Sequence, residues 1–230
     1  MIKFGDCLGL MKEIEDSSID MVYTDIPYGI NYKSNKQGQD TRTGVTLKTG
    51  RSEYFKKINN DDKIPDIEWL EESFRVLKNG AAIYICVRWD KFGELQQQVL
   101  QCGFKVKNMI VFNKSNHGMG DLKGQYAPKH ELLLFATKGR HLLNFPNGRN
   151  NDVWDVPVKF SGSKRLHPNE KPLPWIVPAI LNSTNIGGIV LDPYMGSGST
   201  GQACLENKRN FIGFDNDKEY FDIAKSRLNI

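Results

Sequence analysis

Apolar and polar positions along the chain switch repeatedly between two periods. Residues 20–25, Asp-Met-Val-Tyr-Thr-Asp, form a short β-type run that stops at Pro27. Ile67, Leu70, Phe74 and Leu77 then recur at helical spacing, and Asn79-Gly80 reads as the stop of that helix. The apolar run 81–87 predicts a buried strand, 92–102 a helix ending near Gly103, and 108–112 and 131–137 two further strands. A helix is expected over 174–181, where Pro174 suits a first turn. After it come a strand at 188–192, a helix at 198–206, a strand at 210–215 and a closing helix at 218–228. Strands alternating with helices call for an α/β sheet with a mainly parallel core.

Composition narrows the class without changing that picture. The 230 residues are 39% hydrophobic and 25% charged, which suits one domain over 1–230 with its own core and excludes disordered or collagen-like chains. No apolar run approaches the roughly 18–20 residues that span a bilayer, so no membrane partner is expected. The first residues lack the long apolar segment of a secretory signal, and a cytoplasmic location is the expectation. Cys7, Cys86, Cys102 and Cys204 show no C-x-x-C pair and read as reduced thiols. His117, His130, His141 and His167 lack the spacing of a zinc helix, so no metal is expected.

Charge is distributed unevenly. The net +4 hides a stretch, 33–60, with seven basic residues (Lys33, Lys36, Arg42, Lys48, Arg51, Lys56, Lys57) against two acidic ones. Its Asn, Gln, Gly and Ser content and its lack of apolar period predict a long, mobile basic loop. A second stretch, 138–171, carries seven basic residues against three acidic, Arg140, Arg149, Lys164 and Arg165 among them. Two basic loops in one small protein point to a polyanion, with solubility as the plain alternative.

The most informative segment is Asp192-Pro193-Tyr194-Met195-Gly196-Ser197-Gly198-Ser199-Thr200-Gly201. Its glycines satisfy G-x-G-x-x-G between a strand and a helix, and Asp215 closes the next strand, the outline of a dinucleotide-binding turn. An aspartate beside the glycines opposes a pyrophosphate and suits a ligand bearing an ammonium group. S-adenosylmethionine meets that requirement, with Asp215 placed to accept from ribose hydroxyls. A nicotinamide-dependent dehydrogenase survives only on the glycines.

Thr24-Asp25-Ile26-Pro27-Tyr28-Gly29 directly follows a strand. Pro27 biases Ile26 to an extended backbone, holding its carbonyl outward, so that this carbonyl and the Asp25 side chain can accept both hydrogens of an exocyclic amine. Tyr28 offers a flat face for stacking a base.

These two segments resemble the D-P-P-Y and D-P-F-x-G-S-G-T-T motifs of DNA amino-methyltransferases, and their order resembles the permuted β class of that family. The resemblance implies a single, mainly parallel, seven-stranded Rossmann-like sheet with helices on both faces. It implies a catalytic set of Asp25, Ile26, Pro27 and Tyr28. For the cofactor it implies Asp6 and Cys7 after the N-terminal strand, His167 and Lys171 in His-Pro-Asn-Glu-Lys-Pro at the methionine end, then Asp192, Pro193, Tyr194, Gly196, Ser197, Gly198, Ser199, Thr200 and Asp215. Ile26 replaces the first proline of the motif; Tyr194 and Ser199 are milder departures. Family members that modify cytosine N4 commonly carry Ser where Asp25 stands, so the resemblance favours adenine N6 of a base flipped out of double-stranded DNA. Cytosine N4 stays open, as do an RNA- or protein-directed enzyme and an inactive DNA-binding regulator. The chain has little room for a separate recognition domain, and target recognition is expected from the basic loop 33–60, from 114–127 and from an insert at 139–165. The resemblance also admits a homodimer and a partner restriction endonuclease.

Overall fold

Strand-forming segments from both halves of the chain meet in one sheet. The computed structural model describes residues 1–27, 64–118, 123–146, 148–156 and 171–230. Within them lie β1 (Ile2–Phe4), α1 (Cys7–Met11), β2 (Ile19–Asp25), α2 (Glu68–Val76), β3 (Leu77–Val87), α3 (Phe92–Gln101) and β4 (Lys105–Lys114). There follow β5 (His130–Thr137), β6 (Val153–Val156), α4 (Leu173–Ser183), β7 (Ile189–Asp192), α5 (Ser199–Glu206), β8 (Asn210–Asp215) and α6 (Lys218–Leu228). The strand order is β1-β8-β7-β2-β3-β5-β4-β6, with β5 alone running against its neighbours. The mainly parallel sheet therefore stands, but with eight strands where the resemblance implies seven. The added edge strand is β6, inside the segment expected to be a recognition insert.

Period-two alternation sorts the buried side chains onto two faces. Ile83, Ile85 and Val87 of β3 pack with Met11, Trp69, Leu70, Leu95 and Val99 from α1, α2 and α3. Ala82, Tyr84 and Cys86 point the other way, toward Trp175, Ile176, Ala203, Cys204 and Leu228 from α4, α5 and α6. Each fully buried Leu or Ile is worth about 1.5–3 kcal/mol.

Local chemistry explains where elements begin and where expectation slips. The Asp217 side chain accepts from the backbone N–H of Glu219 and Tyr220, and Lys225 and Arg227 occupy the last turn of α6, so capping and helix dipole agree. Asn79-Gly80 does not end α2. The helix passes straight into β3, and these two residues lie in an irregularity where pairing jumps from Ile19↔Leu77 to Met21↔Ala82. Gly80, at φ +85°, makes that bulge accessible.

Candidate active site at the carboxyl edge of the sheet

From β7 the chain crosses through α5 to β8 on one side; from β2 it passes through α2 to β3 on the other. The boundary between β7 and β2 is thus a topological switch point, where the loops at the carboxyl ends diverge and leave a crevice. Asp25 ends β2 and Asp192 ends β7, with Met21↔Val190 and Val22↔Leu191 in register.

Asp192 joins the two. Its Oδ1 accepts from Thr24 Oγ1 at 2.8 Å and from the Tyr194 backbone N–H at 3.1 Å, and its Oδ2 accepts from Thr200 Oγ1 at 2.7 Å. The residue is only 2% exposed, and burial pushes its carboxyl up to about 7 despite those three bonds. The expectation is an acceptor suited to an ammonium; here the carboxylate accepts from the protein itself. Both oxygens are engaged, and the side chain pins the glycine loop to the neighbouring strand.

The loop has a packed side and an open side. Gly198 has φ +82°, and a Cβ there would lie 3.1 Å from Ala224 Cβ. Gly196 has φ +51°, and a Cβ would meet nothing within 4 Å. Behind the loop, Arg227 of α6 donates to Ser199 Oγ at 2.8 Å and to Ser197 Oγ at 3.4 Å. In front, Asp215 Oδ2 accepts from the Gly196 backbone N–H at 2.9 Å and its Oδ1 from Asp217 N–H at 2.7 Å; burial raises this carboxyl to about 6. Each oxygen keeps a lone pair for a further donor. Strand β1 extends the same edge: Phe4 pairs with Asp215, exposed Asp6 caps α1 by accepting from Gly9 N–H at 3.1 Å, and buried Cys7 opens that helix. Tyr194 meets Trp69 edge-on, ring centroids 5.6 Å apart. Hydroxyls and carboxylates around a glycine cradle suit a ligand presenting a ribose diol and an ammonium, and oppose a diphosphate.

Asp25 is paired with Lys171, whose Nζ lies 2.9 Å from Asp25 Oδ2 and 3.3 Å from Glu131 Oε2. Lys171 is thus placed at the end of β2, whereas the resemblance implies a contact at the methionine end. The Ile26 side chain is buried in the core on the α2 face, and this anchors the segment where the motif's first proline would restrict it. Tyr28, His167, Lys33, Lys36, Arg42, Lys48, Arg51, Lys164 and Arg165 lie outside the described residues.

Arg140 and Arg149 are described, and they sit away from this edge. Because β5 runs antiparallel, Thr137 pairs with Ala82 near the start of β3, whereas Asp25 pairs with Cys86 near its end. The segment after Thr137 therefore emerges at the amino edge, where His141 Nδ1 donates to the Gly80 carbonyl at 2.6 Å. Asn150, next to Arg149, accepts from Asn182 at the far end of α4, at 3.0 Å. Both arginines are exposed at the opposite end of the sheet from Asp25, which corrects their assignment to the DNA-binding set. Sequence reasoning in turn missed Glu131 and the exposed Trp89 just after β3, whereas Lys114 and the exposed Tyr126, just before β5, fall within 114–127, where target recognition is expected. The signal for Trp89 was available: its ring lies in a polar turn, Arg88-Trp89-Asp90.

A doubly wound sheet with a glycine cradle and an acidic residue on adjacent strand ends defines a class of nucleoside-ligand enzymes. Comparison identifies the family: the DNA methylase model for N6 and N4 methyltransferases matches residues 19–226, and the chain belongs to that family. It is 29% identical over 239 residues to the Type II methyltransferase M2.MboI of Moraxella bovis, covering 98% of this chain and 86% of the relative. It is 30% identical over 239 residues to M2.LlaDCHI of Lactococcus lactis subsp. cremoris, covering 98% and 87%. Among solved structures it matches the M1.HpyAVI–SAM complex with TM-score 0.73 and 26% identity, covering 100% of this chain and 99% of that one. The cytosine-N4-specific PvuII DNA methyltransferase, at 15% identity, TM-score 0.74, and coverage of 99% and 85%, shares the fold. Among the described residues no helix is long and apolar enough to cross a membrane, and no cluster of three or more His, Cys, Asp or Glu could hold a metal.

Proposed function

We propose that this DNA methyltransferase modifies adenine at N6, using S-adenosylmethionine, at specific sites in duplex DNA. The observation that carries the reading is the Asp192 bridge, which fixes the strand ending in Asp25 against the glycine cradle across the switch point. The cofactor supplies a methyl group made electrophilic by its sulfonium. Gly196, Asp215 and Asp6 would hold the cofactor, and Arg227 braces the serines behind. Asp25 and the Ile26 carbonyl accept the two amine hydrogens, which favours the pyramidal nitrogen whose lone pair can attack; Asp25 then receives the departing proton. Most of the rate gain comes from positioning and fixed charge. Lys114 and the exposed Lys123, Lys129, Trp89 and Tyr126 give the same edge its contacts to phosphates and unstacked bases. The relatives bear Type II names, and a restriction-modification pairing is proposed on that ground.

Incubation with labelled S-adenosylmethionine and unmethylated duplex DNA, followed by digestion and nucleoside mass spectrometry, tests the base assignment. N6-methyladenine is the expected product. N4-methylcytosine would retain the mechanism and overturn the base, and label only in RNA or protein would overturn the substrate.

The two glycines of the cradle separate stability from binding. Gly198→Ala strains a left-handed residue and crowds Ala224, so it is expected to cost about 2–4 kcal/mol. Gly196→Ala carries the left-handed strain without the clash and is expected to cost about 1–2 kcal/mol while placing a methyl on the open side and weakening cofactor binding. Thermal melting and calorimetric titration with S-adenosylmethionine check both; equal losses of stability would contradict the two-sided loop.

A further inference from the structure

The Asp25–Lys171 pair does not stand alone. Glu131, on the antiparallel strand β5, takes Lys171 Nζ on Oε2 at 3.3 Å and Lys114 Nζ, from the end of β4, on Oε1 at 3.4 Å. Asp25, Lys171, Glu131 and Lys114 thus alternate in sign along the carboxyl edge from β2, over the end of β3, to β4. A lysine carries a point charge on a flexible four-carbon stem, so one carboxylate by itself leaves the ammonium many geometries. A second carboxylate opposite the first removes most of them. Lys171 is also confined from behind: its side chain is only 13% exposed, and it precedes Pro172, the N-cap of α4, which biases its backbone to the extended conformation observed at such positions.

We propose that Glu131 is a positioning residue for methyl transfer, holding Lys171 so that the ammonium fixes one oxygen of Asp25 and turns the other toward the substrate amine. The proposal rests on the methyltransferase reading above and deepens it. Burial alone would raise the Glu131 carboxyl, but Lys171 and Lys114 bring it below its ordinary value, so it is ionised at neutral pH and serves Lys171 as a full negative charge. Lys171 fixes one oxygen of Asp25, and Asp25 keeps its contact with the reacting nitrogen. Glu131 touches neither substrate nor cofactor and acts on Asp25 through Lys171.

Steady-state and single-turnover kinetics on duplex DNA, with wild type, Glu131→Gln, Lys171→Met and the double variant, test this. Glu131→Gln is expected to lower kcat about 10-fold, with KM and Kd for S-adenosylmethionine within about twofold of wild type. The double variant is expected to be no slower than Lys171→Met, because the two residues act in series. Lys171→Arg should recover part of the rate, since a guanidinium can span two carboxylates. An unchanged kcat in Glu131→Gln overturns the proposal, as does a double variant that shows the product of the two single losses. A rise in Kd for S-adenosylmethionine at constant kcat overturns it too, returning Lys171 to the methionine end of the cofactor. Wild type inactive on DNA overturns the underlying reading and the proposal together, whereas active wild type beside an equally active Glu131→Gln overturns the proposal alone.

Discussion

Asp25→Ala is expected to slow methyl transfer by about 10²–10³-fold or more, the cost of removing a preorganised charge from the place where charge develops, while leaving S-adenosylmethionine affinity within about threefold. The two halves of this expectation follow from different contacts. The Asp25 carboxylate is held by Lys171 at 2.9 Å, whereas the cradle is held by Asp192, Asp215 and Arg227. Deleting Asp25 therefore removes the acceptor for the amine without loosening the cradle. Asp25→Asn keeps an acceptor oxygen but loses the charge that takes the proton and balances Lys171, and should fall between wild type and alanine. Single-turnover transfer of label to DNA measures the rate, and calorimetric titration measures binding. An alanine variant that binds the cofactor ten times more weakly would move Asp25 from the reaction to the binding site, and one that transfers normally would remove it from both.

The parts of this site that sequence alone makes legible are those whose chemistry is local. The glycine loop carries its turn residues and flanking strands within one contiguous segment, and β8 and α6 are marked by an apolar strand, a capping Asp217 and a helical period. The fold family adds the meeting of residues 25 and 192, which no local pattern shows. Legibility fails where a property depends on the direction of a strand. Arg140 follows an apolar run like any other, and only the antiparallel pairing of β5 reveals that it emerges at the end away from Asp25. The same reversal brings Glu131, at the start of β5, to the carboxyl edge, where it meets Lys171. Short elements fail for a different reason. Helix α1 has five residues, too few for its period to register, and Gly9 interrupts it, while the four residues of β6 lie in a stretch broken by Gly, Pro and Asn. Asn79-Gly80 misleads because the chemistry that ends a helix also suits a bulge inside a strand.

Asp192 carries the second large effect, and its pH dependence distinguishes an organiser of the loop from a direct cofactor ligand. In the unfolded chain its carboxyl titrates at about 3.9; in the folded protein burial raises it to about 7. A raised carboxyl binds its proton more tightly in the native state, so its contribution to stability is complete below about pH 4 and is lost as pH rises to about 7. Asp215, raised to about 6 by burial, acts in the same direction over a narrower window. Asp192→Asn removes one of these titrations while keeping the shape of the side chain. The stability of wild type minus that of Asp192→Asn, from denaturant unfolding, should therefore fall between pH 4 and 7 by an amount on the order of a few kcal/mol and level off above. Asp192→Ala is harsher: it leaves the Thr24 and Thr200 hydroxyls and the Tyr194 N–H without their acceptor in a buried site. At about 1–3 kcal/mol for each stranded group, a loss of about 3 kcal/mol or more follows, which lowers the melting temperature by about 6–12 °C in a chain of this size. Were Asp192 instead an open ligand for the cofactor's ammonium, the asparagine variant would lose affinity for S-adenosylmethionine at unchanged stability, and the pH-dependent difference would vanish.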